Sequence, residues 1–423
     1  MFSRFIDNFD YSSRFRILKG GKISLVVSAL LGSVIVVSAA PTAGVVTSGN
    51  ATISQNVNTT NINQSSQKAS INWQNFNIAS NEIVNFNQPN KNSITLNRVI
   101  GNEKSVINGA LNANGQVWIL NSNGILFSKD AKVNTSGLVA STAELSDKDF
   151  QDGNYNFKNS KSNSVVNLGT IEVANNGYVV LASNEVRNAG TIKAIKGKVY
   201  LSGNSEYTIN LNGNSIVNLI VTKGVLDAMV ENSGTIIANG GEIYLTTNAV
   251  NELLKGVVNN TGVIEANSLD DVTGKVEVFA YGGTANVGGE IKAEGGFVET
   301  SGKNVKIATG TKIKSKKWLI DPTDFTIAAS GGDIDGATLS SNLSSTDVTI
   351  QSADGTIGVN GDINVNDNVT WTTNKLTLEA EGNININANL KANSNGSLDM
   401  KTGYNGASYT DTTKSVLVGM NSD

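Results

Sequence analysis

The chain offers few residues for chemistry. It contains no Cys and no His. Imidazole-based triads, thiol nucleophiles and His- or Cys-ligated metal centres are therefore excluded. Acid–base work would fall to carboxylates. Three pairs stand close in sequence: Asp270/Asp271, Asp321/Asp324 and Asp333/Asp335. Each lies among Gly, Thr and Ser, where Asp is a turn former, so a structural role is expected. Asp333-Ile334-Asp335-Gly336 opens like a calcium loop but lacks the later acidic ligands. A polysaccharide-cleaving enzyme would need acids clustered beside a base, and the nearest approach is Glu185 with Arg187. The lysines over 311–317 read as a solvated face. We expect no enzyme activity, no cofactor and no metal. Asn-x-Ser/Thr sequons run from Asn50 to Asn395, but in an Asn- and Thr-rich chain most arise by chance.

The elements that must position any site are short strands. Residues 112–141 hold three apolar runs, Val117–Leu120, Ile125–Phe127 and Leu138–Ala140, joined by Asn/Ser/Gly turns. Asn123 and Gly124 enter left-handed backbone most cheaply, so Asn121–Gly124 reads as a tight corner between two strands. After about residue 160 a repeat sets in. Gly-Thr/Val/Glu-Ile recurs at Gly169, Gly190, Gly234, Gly262 and Gly289, at spacings of 21, 44, 28 and 27 residues. A second strand follows each copy: Tyr178–Leu181, Val199–Leu201, Ile243–Leu245, Val276–Phe279 and Phe297–Glu299. Two or three short strands per repeat of this length mark a parallel β-solenoid, in which one coil cannot bury its apolar face alone. Alternation sends Ile192 inward and Lys193 outward. Three further expectations follow. Ile171, Ile192, Ile236, Ile264 and Ile291 should stack in one column. Asn188, Asn232 and Asn260, each two residues before a repeat glycine, should align in a ladder. About 20 coils at a rise of roughly 4.8 Å would make a rod near 90–100 Å long.

The N-terminus reads as an export leader. Met1–Lys22 carries five basic residues, Ile23–Val37 is apolar, and Ser38-Ala39-Ala40 is a small-residue cleavage region. Pro41 disfavours a cut after Ala40, and a cut after Ala39 is open. Loss of residues 1–39 moves the net charge from −4 to −7 and leaves Arg98 and Arg187 as the only arginines. Such a protein is a poor nucleic-acid binder. A cysteine-free chain also brings no cross-link to a narrow pore.

Asn121-Ser122-Asn123-Gly124-Ile125 resembles the Asn-Pro-Asn-Gly-Ile motif of two-partner-secretion exoproteins, the filamentous-haemagglutinin-like adhesins and haemolysins of Gram-negative bacteria. Here Ser122 stands in place of the proline. The upstream order is similar too: Ile71-Asn72-Trp73-Gln74-Asn75-Phe76-Asn77-Ile78, then Leu96-Asn97-Arg98-Val99-Ile100-Gly101. The likeness covers about residues 44–150. Gly296–Gly302 with Trp318-Leu319-Ile320-Asp321-Pro322 resembles the segment that follows in the larger adhesins. The family's Asn-Pro-Asn-Leu motif is matched only loosely, by Asn87-Gln88-Pro89-Asn90. The resemblance implies an all-β, right-handed parallel β-helix with an N-terminal cap. Its parts would be a leader over 1–39, a secretion domain over 40–160, β-helix repeats over 161–330 and the start of a shaft over 331–423. It also implies an outer-membrane barrel transporter as partner, which would recognise Asn97, Arg98, Asn121, Asn123, Gly124 and Ile125. A secreted or surface-held adhesin, binding a host receptor or glycan, is the expected function. A haemolysin or a contact-dependent growth-inhibition toxin on the same secretion domain is the alternative. An autotransporter passenger would instead need a barrel of its own downstream.

Overall fold

The computed structural model describes residues 40–248, 256–353, 361–403 and 413–419. The expected leader lies outside these residues. From residue 40 onward the described residues form one right-handed parallel β-helix with three faces. One coil runs Lys132–Thr135, Gly137–Ser141, Ser164–Asn167. The next runs Thr170–Val173, Tyr178–Ser183, Glu185–Asn188. Each strand pairs in parallel with its counterpart one coil away.

The isoleucine column forms as expected. Ile171, Ile192, Ile236, Ile264 and Ile291 are successive register partners, all fully buried. Ile313 extends the column at one end and Val133 at the other. The repeat glycines explain themselves at the same corner. A Cβ on Gly190 would lie 2.1 Å from the Gly169 carbonyl oxygen, and one on Gly234 the same distance from that of Gly190. Only glycine lets successive coils approach there.

The asparagine ladder is also present. Asn188 Nδ2 donates to Asn232 Oδ1, and Asn232 Nδ2 to Asn260 Oδ1, each at 2.8 Å. Asn167, two residues before Gly169, adds a step that the sequence reading passed over, donating to Asn188 Oδ1 at 2.8 Å. Asn260 Nδ2 closes the series on the Gly288 carbonyl. All four amides are buried, so the hydrogen bonds along the stack satisfy groups that water cannot reach.

The coil count was overestimated. The second face carries thirteen strands among the described residues, from Lys68–Trp73 to Ser397–Thr402. That ladder is about 60 Å long at roughly 4.8 Å per strand. The difference lies in chain that leaves the coil. Ser146 caps a short helix, Asp147–Asp152, and residues 206–223 form a hairpin, Glu206–Asn212 with Ser215–Lys223. Asn156–Phe157 pairs with the hairpin to make a separate antiparallel sheet. A second helix, Gly336–Asn342, packs beside Lys312–Asp321 and Val369–Trp371, where the first face would otherwise hold a strand.

The N-terminal end is capped. Val45–Ser48 pairs antiparallel with Lys68–Trp73, and Ala51–Gln55 antiparallel with Thr59–Gln64. These reversals occupy the edge that the first coil would otherwise leave open.

Candidate secretion site

The Asn121–Gly124 corner links Gln116–Leu120 on the second face to Ile125–Phe127 on the third. It is closed by the Gly124 amide donating to the Asn121 carbonyl at 3.0 Å. Asn121 Oδ1 accepts from the Asn123 amide at 2.9 Å, an Asx turn. The left-handed position is Gly124 alone, with φ +105°. Asn123 does not share it, contrary to the reading of the sequence. Its side chain instead reaches the Gly101 carbonyl at 2.8 Å.

Asn121 is completely buried. Its Nδ2 donates to the Glu103 carbonyl and to Ser105 Oγ, both at 3.0 Å. The corner therefore holds loop 101–105 of the coil before. On the other side, Asn163 Nδ2 donates to the Ser122 carbonyl at 2.6 Å. Ile125 points into the core between Ser105 and Val165.

Asn97 and Arg98 stand on the strand that leads into loop 101–105. Asn97 is buried and accepts from Trp73 Nε1 at 3.0 Å. Arg98 bonds Asn72 Oδ1 at 2.8 Å, the Leu145 carbonyl at 2.6 Å and Asp147 Oδ1 at 3.0 Å. Burial works to raise the Asp147 carboxyl. Hydrogen bonds from Thr47, Arg98 and Ser70, with the Arg98 charge, outweigh it and hold the carboxyl below its usual range. Lys68 Nζ caps the other end of that helix through the carbonyls of Phe150 and Gln151. Asn121, Asn123 and Gly124 are thus tied to residues 101–105, whereas Asn97 and Arg98 bond elsewhere, to Trp73 and to the start of the helix Asp147–Asp152.

What the sequence reading missed is a second core outside the coil. Ile94, Leu96, Trp118, Leu120, Val139, Tyr178 and Val180 face outward from the second face, yet are buried. Phe150, Tyr155 and Phe157 from the 143–158 segment cover them, with Tyr207, Ile209 and Ile216 from the hairpin. Phe157 and Tyr207 stack at 4.6 Å. Tyr178 Oη donates to Gln116 Oε1 at 2.5 Å and accepts from Trp118 Nε1 at 2.8 Å. Burial pushes the Tyr155 hydroxyl up to about 12. The signal was available: Val117–Leu120, Leu138–Ala140 and Tyr178–Ala182 do not alternate, as strands buried on both sides do not.

Four of the six paired aspartates make structural contacts. Asp324 accepts the Asp362 amide, Asp270 pairs with Lys196 at 2.6 Å, and Arg187 binds both Glu185 and Glu231. Asp333 accepts the Thr326 amide, and Asp335 caps the helix Gly336–Asn342. Asp321 differs. Half-buried on the second face near Glu299, its carboxyl is raised to about 6, first by burial and then by that neighbouring charge.

Comparison with known proteins falls on the same region. Residues 37–280 match the TPS secretion domain. A heme/hemopexin-binding protein of Haemophilus influenzae is 33% identical over 281 residues, covering 64% of this chain and 31% of its own length. A second Haemophilus influenzae protein of the same name is 32% identical over 288 residues, again with 31% of its length covered. The chain thus spans about a third of these curated relatives. The crystal structure of the HMW1 secretion domain from Haemophilus influenzae superposes with a TM-score of 0.61 at 27% identity, over 90% of this chain and all of that one. A capped β-helix, an Asn-Gly corner tied to the preceding coil and a sequence match over more than half the chain agree: the chain belongs to the TPS secretion domain family.

Proposed function

We propose that this chain is the leading part of an exoprotein that crosses the outer membrane through a dedicated barrel transporter and folds as it emerges. The observation that carries this reading is the asymmetry of the β-helix. Its start is closed by antiparallel strands, while every later coil is laid on the edge of the one before. Such a chain folds vectorially from its N-terminus and needs no nucleotide. The transporter would bind the region in extended form, because strand addition uses main-chain hydrogen bonds and tolerates varied side chains. Buried Asn121 and Asn97 support this, since neither amide is offered at the folded surface. The test is export of the whole protein with and without its cognate barrel. Dependence on the barrel is the expected result, and equal export without it would end the reading.

Outside the cell the protein would serve as a surface-held or released adhesive rod without enzymatic activity. Haemolysin or growth-inhibition toxin remains the alternative on the same lead, and the sequence following Asp423 in the full gene product decides between them. A second reading has its own support in the names of the two curated relatives: the longer protein would bind heme or hemopexin. This chain brings no imidazole or thiolate to an iron, which leaves Tyr or Met ligation, or contact with the carrier protein, as the modes open to it. Capture of purified hemopexin by the exported protein, against attachment to cultured epithelial cells, separates the two readings.

A further inference from the structure

Glu82 is a buried carboxylate at 5% exposure. Its Oε2 accepts two hydrogen bonds, from the Ala79 amide at 2.8 Å and from the Ala40 nitrogen at 2.8 Å. No basic side chain is in ion-pair contact with it among the described residues. The segments bonded to it, 40–42, 79–81 and 108–110, hold no other ionisable side chain. A buried carboxylate without a cation is costly, because backbone amides only partly replace its hydration.

Ala40 carries a second oddity. Its φ is +63°, a left-handed conformation that an L-alanine rarely adopts. The residues just after it are firmly placed. Pro41 is buried and its carbonyl accepts from Gln55 Nε2 at 2.6 Å, while the Thr42 amide donates to Asn75 at 3.1 Å. The strain at Ala40 exists only while a preceding carbonyl is attached to its nitrogen.

Both features are resolved by one event. We propose that the leader is cut between Ala39 and Ala40, and that the α-ammonium freed at Ala40 forms a buried ion pair with Glu82. Water adds across the amide bond. The carboxylate leaves on Ala39 with the leader, and the Ala40 amine takes up a proton. Hydrolysis then removes the steric cause of the φ strain and supplies the missing cation in one step. The sequence fits a leader peptidase, with Val37 at position −3, Ala39 at −1 and Pro41 kept away from +1. Cleavage would thereby favour closure of the N-terminal cap, since Ala40–Thr42 leads directly into Val45–Ser48.

The inference rests on the export reading only in supposing a leader. Its test is made on protein already outside the cell, so failure here leaves that reading standing. Mass spectrometry of the exported protein should find Ala40 as the first residue. Thermal unfolding is then compared for four forms: wild type, Glu82→Gln, and each again with one extra Ala before Ala40. Glu82→Gln should lower the melting temperature by roughly 4 °C or more with the free Ala40 amine, and far less in the extended form. In wild type the difference should fade as pH rises through the amine range, about 8 and above. A terminus elsewhere, or an equal effect of Glu82→Gln in both backgrounds, overturns the proposal.

Discussion

At the scale of residues, the family motif works as a brace. Asn121 makes four side-chain hydrogen bonds within the corner and loop 101–105. Asn121→Ala should cost about 1–3 kcal/mol, because buried partners lose their hydrogen bonds. In Gly124→Val a β-branched residue meets φ +105°, with the Ser164 carbonyl oxygen 3.0 Å from the new Cβ. We expect export of Asn121→Ala, Asn123→Ala and Gly124→Val to fall in the order of their measured stabilities. An Asn121 variant as stable as wild type but not exported would show recognition of the side chain itself. In the interior column, Ile236→Asp buries an unpaired charge and should cost several kcal/mol in a denaturant melt. An unchanged midpoint would refute the register. Asp321 gives a pH test. Its folded carboxyl titrates near 6, above the usual value. The folded state therefore binds a proton more readily than the unfolded chain, and stability should rise as pH falls from 7 through 6. Asp321→Asn should flatten that slope.

At the scale of elements, the coil was legible and its clothing was not. Isoleucine, glycine and asparagine recur at fixed offsets because each occupies a site with one solution: an interior column, a contact between coils and a buried amide stack. Periodicity exposes such sites. The helix Asp147–Asp152 and the hairpin 206–223 occur once each, so no repetition announced them. Strands such as Gln116–Leu120, buried on both sides, were the only trace. The candidate corner was legible as a turn, but its hold on loop 101–105 depends on contacts between coils that spacing does not reveal. The hairpin and Asn156–Phe157 form a sheet of their own, outside the ladders of the coil, which yields a prediction. Tyr207→Ala removes the ring stacked on Phe157 and should cost about 3–5 kcal/mol. Hydrogen exchange should then speed up in 143–158 and 206–223 while amides of the isoleucine column stay protected. Uniform acceleration would mean that coil and cover unfold as one.

At the scale of the whole molecule, the proposed folding from the N-terminus predicts two orders of assembly. The coils stack from N- to C-terminus. The hairpin works backward: Gln116 Nε2 holds the Gly213 carbonyl at 3.0 Å, and Ser215 Oγ holds that of Asn176 at 2.8 Å. In the proposed order it closes after those coils have formed. The closed start adds a consequence of its own. Stacking that begins at one blocked end makes position along the chain a kind of clock. A defect early in the series halts everything after it, and the same defect placed late spares everything before it. Damage should therefore be polar, as in a sentence cut off part-way. Protease-resistant fragments of equally disruptive variants would lengthen in step with the residue number of the lesion, all sharing one N-terminus.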